Sequence, residues 1–133
     1  NGAEVIGVIR ERIAEFGLKH PALAKVIITK DMRERKATME KYADIFVAMP
    51  GGFGTFEEIF EIIVAKQLNY HNKPIVFVNF DGYYDNMLKM FDTVYENRFA
   101  KEEMKSLYFV ANNLDEMFDY IKSYAPKEFV HKW

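Results

Sequence analysis

The sequence predicts an α/β fold in which a parallel sheet is covered by helices on both faces. Short apolar runs alternate along the chain with longer segments of helical periodicity. The apolar runs are continuous instead of alternating in polarity, which is typical of strands that are buried on both faces of a parallel sheet. Strands and helices in this order form right-handed βαβ units.

Three strands are predicted in the first part of the chain, over 4–9, 24–29 and 44–49. Each consists mainly of β-branched and other apolar residues. A short helical turn is expected over 10–16. A longer helix follows the second strand up to about residue 42, because Asp31 is a suitable N-cap and Glu34 lies three residues later.

The most strongly periodic helix of the second part is predicted from Thr55 to about Tyr70. Its apolar residues recur at i, i+3, i+4 and i+7, and further apolar residues widen this face, so we expect the helix to be buried on two sides. The remaining elements are a strand over 74–79, a helix over 83–97, a strand over 106–111 and a helix over 114–124 that Asn113 caps.

The composition fits a single globular domain over residues 1–133 that binds a small polar ligand. The chain has 18 basic and 20 acidic residues and a net charge of −2, which argues against a strongly charged surface for a nucleic-acid polymer or a membrane. It has no cysteine, so a thiol nucleophile and a disulfide are excluded, and the cytoplasm is the expected location. No apolar run approaches the roughly 18 residues that a membrane-spanning helix needs.

The chain is organised around the glycine loop, residues 50–58, which reads Pro-Gly-Gly-Phe-Gly-Thr-Phe-Glu-Glu. Its glycines let the backbone approach a ligand without a Cβ in the way, and the N–H groups of the following helix favour an anion such as phosphate. The loop matches neither the Walker A motif nor the dinucleotide G-x-G-x-x-G motif. It follows the carboxyl end of a strand, which is where parallel sheets bind their ligands.

A second stretch with candidate functional residues lies at the start of the helix that follows Asp31. Three cations, Arg33, Arg35 and Lys36, lie in its first turns, where each opposes the helix dipole at a cost of about 0.3 kcal/mol. These cations either form a solvated basic face, or one or two of them bind the same anion as the glycine loop. Both stretches begin helices after strands, so both would line one edge of the sheet.

Glu58 also has two interpretations. It lies three residues after Thr55, so a capping box with Thr55 as N-cap would explain it. Alternatively, it is a carboxylate placed beside a phosphate site. The histidines, His20, His71 and His131, are predicted to be structural, because none has a second histidine or an acid at the spacing of a metal site.

Together these residues resemble the Lonely guy (LOG) family, cytokinin riboside 5′-monophosphate phosphoribohydrolases and their bacterial relatives. The resemblance consists of Met32-x-x-Arg35-Lys36, followed after 13 intervening residues by Pro-Gly-Gly-x-Gly-Thr-x-x-Glu. It implies a Rossmann-like doubly wound parallel sheet, from which the family's amino-terminal strand-helix-strand portion is expected to be missing. Members are sometimes labelled lysine decarboxylases, but no lysine lies in a recognisable pyridoxal-phosphate context.

The resemblance implies hydrolysis of the N-glycosidic bond of nucleoside 5′-monophosphates, cytokinin nucleotides or AMP, to free base and ribose 5-phosphate, without a metal or other cofactor. Arg35 and Glu58 would be catalytic. The substrate-binding residues would be Arg35, Lys36, Gly51, Gly52, Gly54 and Thr55. A carboxylate suits a reaction that develops oxocarbenium character, and the guanidinium fork suits phosphate or ribose oxygens.

The resemblance also implies a homodimer, which would bury the helices over 55–70 and 83–97. Large contiguous apolar patches such as theirs are uncommon on monomers. Two other functions stay open. One is a carrier that binds a nucleotide or cofactor without turnover, since the glycine loop explains phosphate binding alone. The other is a purely structural fragment of such a protein.

Overall fold

A computed structural model describes residues 3–17, 20 and 23–127 of the chain. It divides between Ala43 and Asp44 into two units, each with its own sheet. Every strand pair in the described residues is parallel, and helices connect the strands. The predicted α/β class with parallel strands is therefore confirmed.

The described residues of the first unit form two strands and two helices. In chain order they are β1 (Ile6–Arg10), α1 (Glu11–Glu15), β2 (Lys25–Thr29) and α2 (Met32–Tyr42). The two strands pair in parallel along their whole length, from Ile6 opposite Lys25 to Arg10 opposite Thr29. The continuous apolar run of β2 predicted cover on both faces, but Ile28 is half exposed in a sheet of only two strands.

Helix α2 begins at the predicted N-cap. The side chain of Asp31 accepts a hydrogen bond from the backbone N–H of Glu34 at 2.8 Å. The Glu34 carboxylate accepts one in return from the N–H of Lys30, also at 2.8 Å. This is one residue earlier than in a standard capping box, and the exchange ties the end of the preceding loop to the helix.

In the described part of the second unit, three strands form a sheet in the order β3-β4-β5. Its elements are β3 (Phe46–Ala48), α3 (Phe53–Gln67), β4 (Ile75–Val78), a 3₁₀ turn (Phe80–Gly82), α4 (Asp85–Glu96), a second 3₁₀ turn (Glu102–Leu107), β5 (Phe109–Ala111) and α5 (Leu114–Ser123). The strands lie in the sheet in the same order as in the chain. This order arises when successive right-handed crossovers all proceed in the same direction.

The core of this unit lies on both faces of β4, whose four residues are all 0% exposed. Ile75 and Phe77 pack with residues of α3 and α4 on one face. Val76 and Val78 pack with Met117 of α5 on the other. Side chains alternate between the two faces of a strand, so the uninterrupted apolar sequence of β4 is explained by helices on both faces.

Several predicted boundaries are wrong by a few residues. Helix α3 begins at Phe53 and has Gly52 as its N-cap, where Thr55 was expected. Helix α4 begins at Asp85, because a 3₁₀ turn with positive φ at Asp81 and Gly82 precedes it. The predicted strand over 106–111 is shorter, since its first two residues belong to the second 3₁₀ turn.

None of the helices in the described part of the chain has both the length and the apolar character that crossing a lipid bilayer demands. His131 and the last residues of the tail, 128–133, lie outside the described residues.

Candidate functional site

The glycine loop connects the carboxyl end of β3 to the start of α3. Gly52 is the N-cap, and its carbonyl accepts from the N–H groups of Thr55 and Phe56 at 3.0 and 3.2 Å. Among the described residues, no side chain caps this helix start, and its first turn contains no acidic residue. The first N–H groups of α3 and the positive end of its dipole could therefore attract an anion without competition from an acid in the first turn.

The glycines of this loop are not required by backbone strain. The positive-φ glycines of the described chain are Gly17 and Gly82, and neither belongs to the loop. A Cβ atom added at Gly52 or Gly54 would meet no atom within 4 Å. The packing of the chain does not demand glycine at these two positions, whereas a ligand that approaches the backbone closely does.

Gly51 is different, because its α-carbon lies against the side chain of Thr55. A Cβ atom at Gly51 would stand 2.2 Å from the Thr55 hydroxyl oxygen and 3.0 Å from its Cβ. Any larger residue at position 51 would therefore displace Thr55. The absence of a side chain at Gly51 sets the position of a hydroxyl in the first turn of α3.

Two tyrosines from the connection after β4 hold the glycine loop. The Tyr83 hydroxyl donates to the Gly51 carbonyl, and the Tyr84 hydroxyl donates to the Met49 carbonyl at 2.5 Å. Burial, and secondarily the neighbouring Tyr83, raises the pKa of Tyr84, so this hydroxyl stays protonated as a donor. The loop is thus fixed at two carbonyls and keeps its N–H side for a ligand.

The connection that carries the tyrosines is itself fixed by Asn79. Its side-chain oxygen accepts from the Tyr84 N–H at 2.7 Å, and its amide donates to Asp85 at 2.8 Å. The sequence did not predict a role for either tyrosine in supporting the loop. The bonds from Tyr83 and Tyr84 span 32 and 35 residues of chain, and no local pattern signals such contacts.

Glu58 lies on α3, half-buried, three residues after Thr55. Residues three apart on a helix are neighbours on its surface, so both side chains belong to the same region near the helix start. The capping-box explanation for Glu58 is wrong, because Thr55 is the third helical residue and its N–H bonds to the Gly52 carbonyl. A catalytic role for Glu58 stays a prediction.

Arg35 and Lys36 lie on α2 in the first unit, and both are half-buried. The Arg35 Nε donates to the carbonyl of Val8 in β1 at 3.3 Å, so the side chain is anchored at the sheet. Arg33, by contrast, is exposed. A uniformly solvated basic face does not describe this helix, while the approach of Arg35 and Lys36 to a phosphate stays a prediction.

His71 is structural, as predicted. One ring nitrogen, Nε2, lies 3.0 Å from the Ile62 carbonyl, and the other, Nδ1, accepts from the N–H of Lys73 at 3.2 Å. These bonds assign the proton to Nε2 and tie the end of α3 to the start of β4. In the described ranges, no three His, Asp or Glu side chains are grouped in a way that could hold a metal ion.

Comparison with known proteins places this parallel α/β chain in a family. A family model described as possible lysine decarboxylase matches residues 1–121. A rice relative (Oryza sativa subsp. japonica) named probable cytokinin riboside 5′-monophosphate phosphoribohydrolase LOG4 is 40% identical over 116 residues, which is 87% of this chain and 50% of the relative.

Two relatives from Arabidopsis thaliana are named cytokinin riboside 5′-monophosphate phosphoribohydrolases LOG2 and LOG5. The first is 35% identical over 133 residues, covering 98% of this chain and 62% of the relative. The second is 35% identical over 125 residues, covering 94% of this chain and 55% of the relative. The chain belongs to the LOG family. It spans between half and two-thirds of the length of these relatives.

Proposed function

We propose that this protein hydrolyses the N-glycosidic bond of nucleoside 5′-monophosphates, cytokinin nucleotides or AMP, to free base and ribose 5-phosphate. The observation that carries the proposal is the start of α3. This helix N-terminus has no side-chain cap, and there is open space above Gly52 and Gly54. Glu58 lies one turn beyond Thr55 on the same helix. The names of the relatives support the same activity.

The substrate phosphate binds at the glycine loop. Gly51, Gly52 and Gly54 offer backbone N–H groups, the Thr55 hydroxyl adds a donor, and the helix dipole favours the negative charge. We further propose that Lys36 and Arg35 complete the phosphate and ribose site, and that both units form one nucleotide-binding domain. The guanidinium is always protonated, and its planar fork matches two oxygens at once.

The chemistry is the cleavage of the C1′–N bond by water. As the bond breaks, its electron pair leaves with the base, and positive charge develops on the ribose ring. We assign to the Glu58 carboxylate the stabilisation of this charge and the orientation of the attacking water, from which it accepts a proton. The leaving base takes up a proton from solvent, Glu58 returns its proton to solvent, and ribose 5-phosphate carries the new hydroxyl at C1′. This is glycosidase chemistry with a base as the leaving group.

We also propose a homodimer. Phe60 and Val64 of α3 and Met90 of α4 are exposed in the chain described here. The centroids of the Phe60 and Phe91 rings lie 5.8 Å apart, so the two helices present one apolar surface. A second copy would cover it, as expected from the width of the apolar face of α3. The cytoplasm remains the location that we propose.

A non-catalytic carrier is the competing function, because the glycine loop alone explains phosphate binding. Glu58 favours the enzyme. The N-cap of α3 is Gly52, so a capping box with Thr55 does not explain Glu58, and a carrier has no evident need for a carboxylate one turn from a phosphate site. The two functions differ in a simple observable, which is whether bound AMP is converted to adenine.

The test is incubation of the full-length protein with AMP and with a cytokinin riboside 5′-monophosphate, followed by quantification of free base. Glu58→Gln keeps the size and hydrogen-bonding capacity of the side chain but removes its charge. We expect it to lower base release by about 100-fold or more, with little change in Tm. The matched control is Glu57→Gln on the adjacent, exposed position, which should change neither quantity.

Two outcomes would contradict the proposal. Near-normal hydrolysis by Glu58→Gln would remove the catalytic role of this carboxylate. Binding of AMP by the unmodified protein without any release of base would favour the carrier.

A further inference from the structure

A cavity of about 370 Å³ lies in the second unit, away from the glycine loop. Its described lining consists of Lys66, Ser106, Tyr108, Phe109, Tyr120, Ser123, Tyr124, Ala125 and Lys127. Tyr108 and Phe109 stand where β5 begins, and Lys66 lies in the last turn of α3, shortly before β4. The glycine loop follows the end of β3. Because the three strands are parallel, the cavity and the loop lie at opposite edges of the sheet.

Lys66 is the unusual residue of this cavity, since it is only 1% exposed. Its Nζ donates to the Leu107 carbonyl at 2.9 Å and lies 5.0 Å from the centre of the Tyr124 ring. Among the described residues, no carboxylate forms an ion pair with it. Burial lowers the pKa of Lys66 to about 8. A buried ammonium without a counter-ion is unfavourable, and two of its three N–H donors have no acceptor in the described chain.

The rest of the lining is rich in donors and aromatic rings. Lys127 adds a second cation, and none of the described lining residues carries a carboxylate. The rings of Phe109 and Tyr120 stack with centroids 4.3 Å apart and planes 6° from parallel, and Tyr124 meets Tyr120 edge-on at 5.6 Å. One wall is therefore flat and apolar, while the charge on the lining is positive.

We propose that this cavity is a second ligand site, which binds a small organic anion with a flat apolar body through the Lys66 ammonium. The ligand's carboxylate or phosphate group pairs with Lys66, and its flat part lies against the tyrosine rings. The volume falls in the range of roughly 300–1,000 Å³ that is typical of small-molecule sites. The proposal is independent of the phosphoribohydrolase activity, because the two sites use different edges of the sheet.

Benzoate is a suitable probe, with phenyl phosphate as the phosphate counterpart and benzamide as a neutral molecule of the same shape. We expect the full-length protein to bind benzoate or phenyl phosphate at least tenfold more tightly than benzamide in calorimetric titrations. The stronger of the two anions identifies the preferred charged group. Equal binding of benzamide and both anions, or no binding of any of them, would overturn the proposal.

Lys66→Met removes the charge and keeps a long apolar side chain, and it should weaken binding of the anion by at least tenfold. Lys89→Met, at an exposed position of α4, is the control and should leave binding unchanged. Unchanged binding by folded Lys66→Met would show that Lys66 serves only to cap the Leu107 carbonyl.

A measurement on the unmodified protein decides the matter if Lys66→Met does not fold. The side-chain NMR signals of Lys66 should titrate near pH 8 in the free protein and at higher pH with benzoate bound, because the anion stabilises the ammonium. Affinity should accordingly fall as the pH rises through about 8. The other titratable groups facing the site are Lys127, Tyr108, Tyr120 and Tyr124, and burial raises the pKa of each tyrosine, that of Tyr120 to about 12. An unchanged Lys66 titration with benzoate present would overturn the proposal.

Discussion

Helices α3 and α5 both follow strands of the same sheet, but their first turns differ in chemistry. At α5, the Asn113 side chain accepts from the N–H of Glu116 at 2.9 Å, and the Glu116 carboxylate accepts from the N–H of Asn112 at 2.8 Å. At α3, Gly52 supplies no side chain, and the first turn has no acid. Helix α2 resembles α5, with Asp31 and Glu34 in the corresponding roles.

The difference is between helices whose first N–H groups are bonded by the chain's own side chains and one helix whose first N–H groups are left open. In α2 and α5, the side chain of the N-cap residue bonds to the N–H group of the third helical residue, and the first turn carries an acid. In α3 no side chain of the N-cap makes this bond, and replacing a side-chain cap by glycine costs only about 0.3 kcal/mol. A small loss of stability thus leaves the first N–H groups of α3 open to an anion.

Among changes at the helix starts, the largest effect is expected from Gly51→Ala. The new Cβ would push the Thr55 hydroxyl out of the first turn of α3, and misplacing a binding group by about 1 Å costs on the order of 100-fold in rate. We expect kcat/KM for AMP hydrolysis to fall by that factor. In a double-mutant cycle with Thr55→Ala, Gly51→Ala should have a much smaller effect, since the 2.2 Å clash with the hydroxyl is removed and only the 3.0 Å contact with the Cβ of residue 55 remains. Additive effects would contradict this explanation.

A new acid at the start of α3 should make it resemble α5. Phe53 is 91% exposed, so its replacement disturbs little packing. Compared with Phe53→Gln, Phe53→Glu should stabilise the free protein by about 0.5 kcal/mol through the helix dipole, while it repels phosphate and raises KM by about tenfold. Urea unfolding and steady-state kinetics measure the two effects. If stability and KM respond alike to Gln and Glu, the helix start does not act through charge.

The smallest effect is expected at α5. Asn113→Ala should destabilise the protein by about 1 kcal/mol through loss of the N-cap, with no change in kcat/KM. Asn113→Ser keeps an acceptor for the N-cap bond and should retain most of the stability. A loss of hydrolysis with Asn113→Ala at a temperature where the protein is folded would contradict the separation between the two helix starts.

Elements with strong local signals were predictable from the sequence. The run over 74–79 predicted β4, because its uninterrupted apolar character requires cover on both faces, which α3, α4 and α5 provide. The caps Asp31 and Asn113 were predictable because a short polar side chain and an acid three residues later form local bonds.

The start of α3 was misplaced because Thr55 and Gly52 are both acceptable N-caps, and only the fold chooses between them. Thr55 is instead confined by the missing side chain at Gly51. The support of the loop by Tyr83 and Tyr84 was not predictable, since it depends on tertiary contacts. The cavity beside Lys66 was missed because a lysine in an apolar helix carries no signal of what surrounds it.

Backbone amide NMR of the protein during titration with ribose 5-phosphate tests the central claim, that the start of α3 holds the substrate phosphate. The N–H signals of Phe53, Gly54 and Thr55 should shift strongly as the phosphate binds, and those of Leu114, Asp115 and Glu116 at the start of α5 should not. Saturable binding that leaves the three α3 signals unmoved, or that moves the α5 signals equally, would contradict the claim.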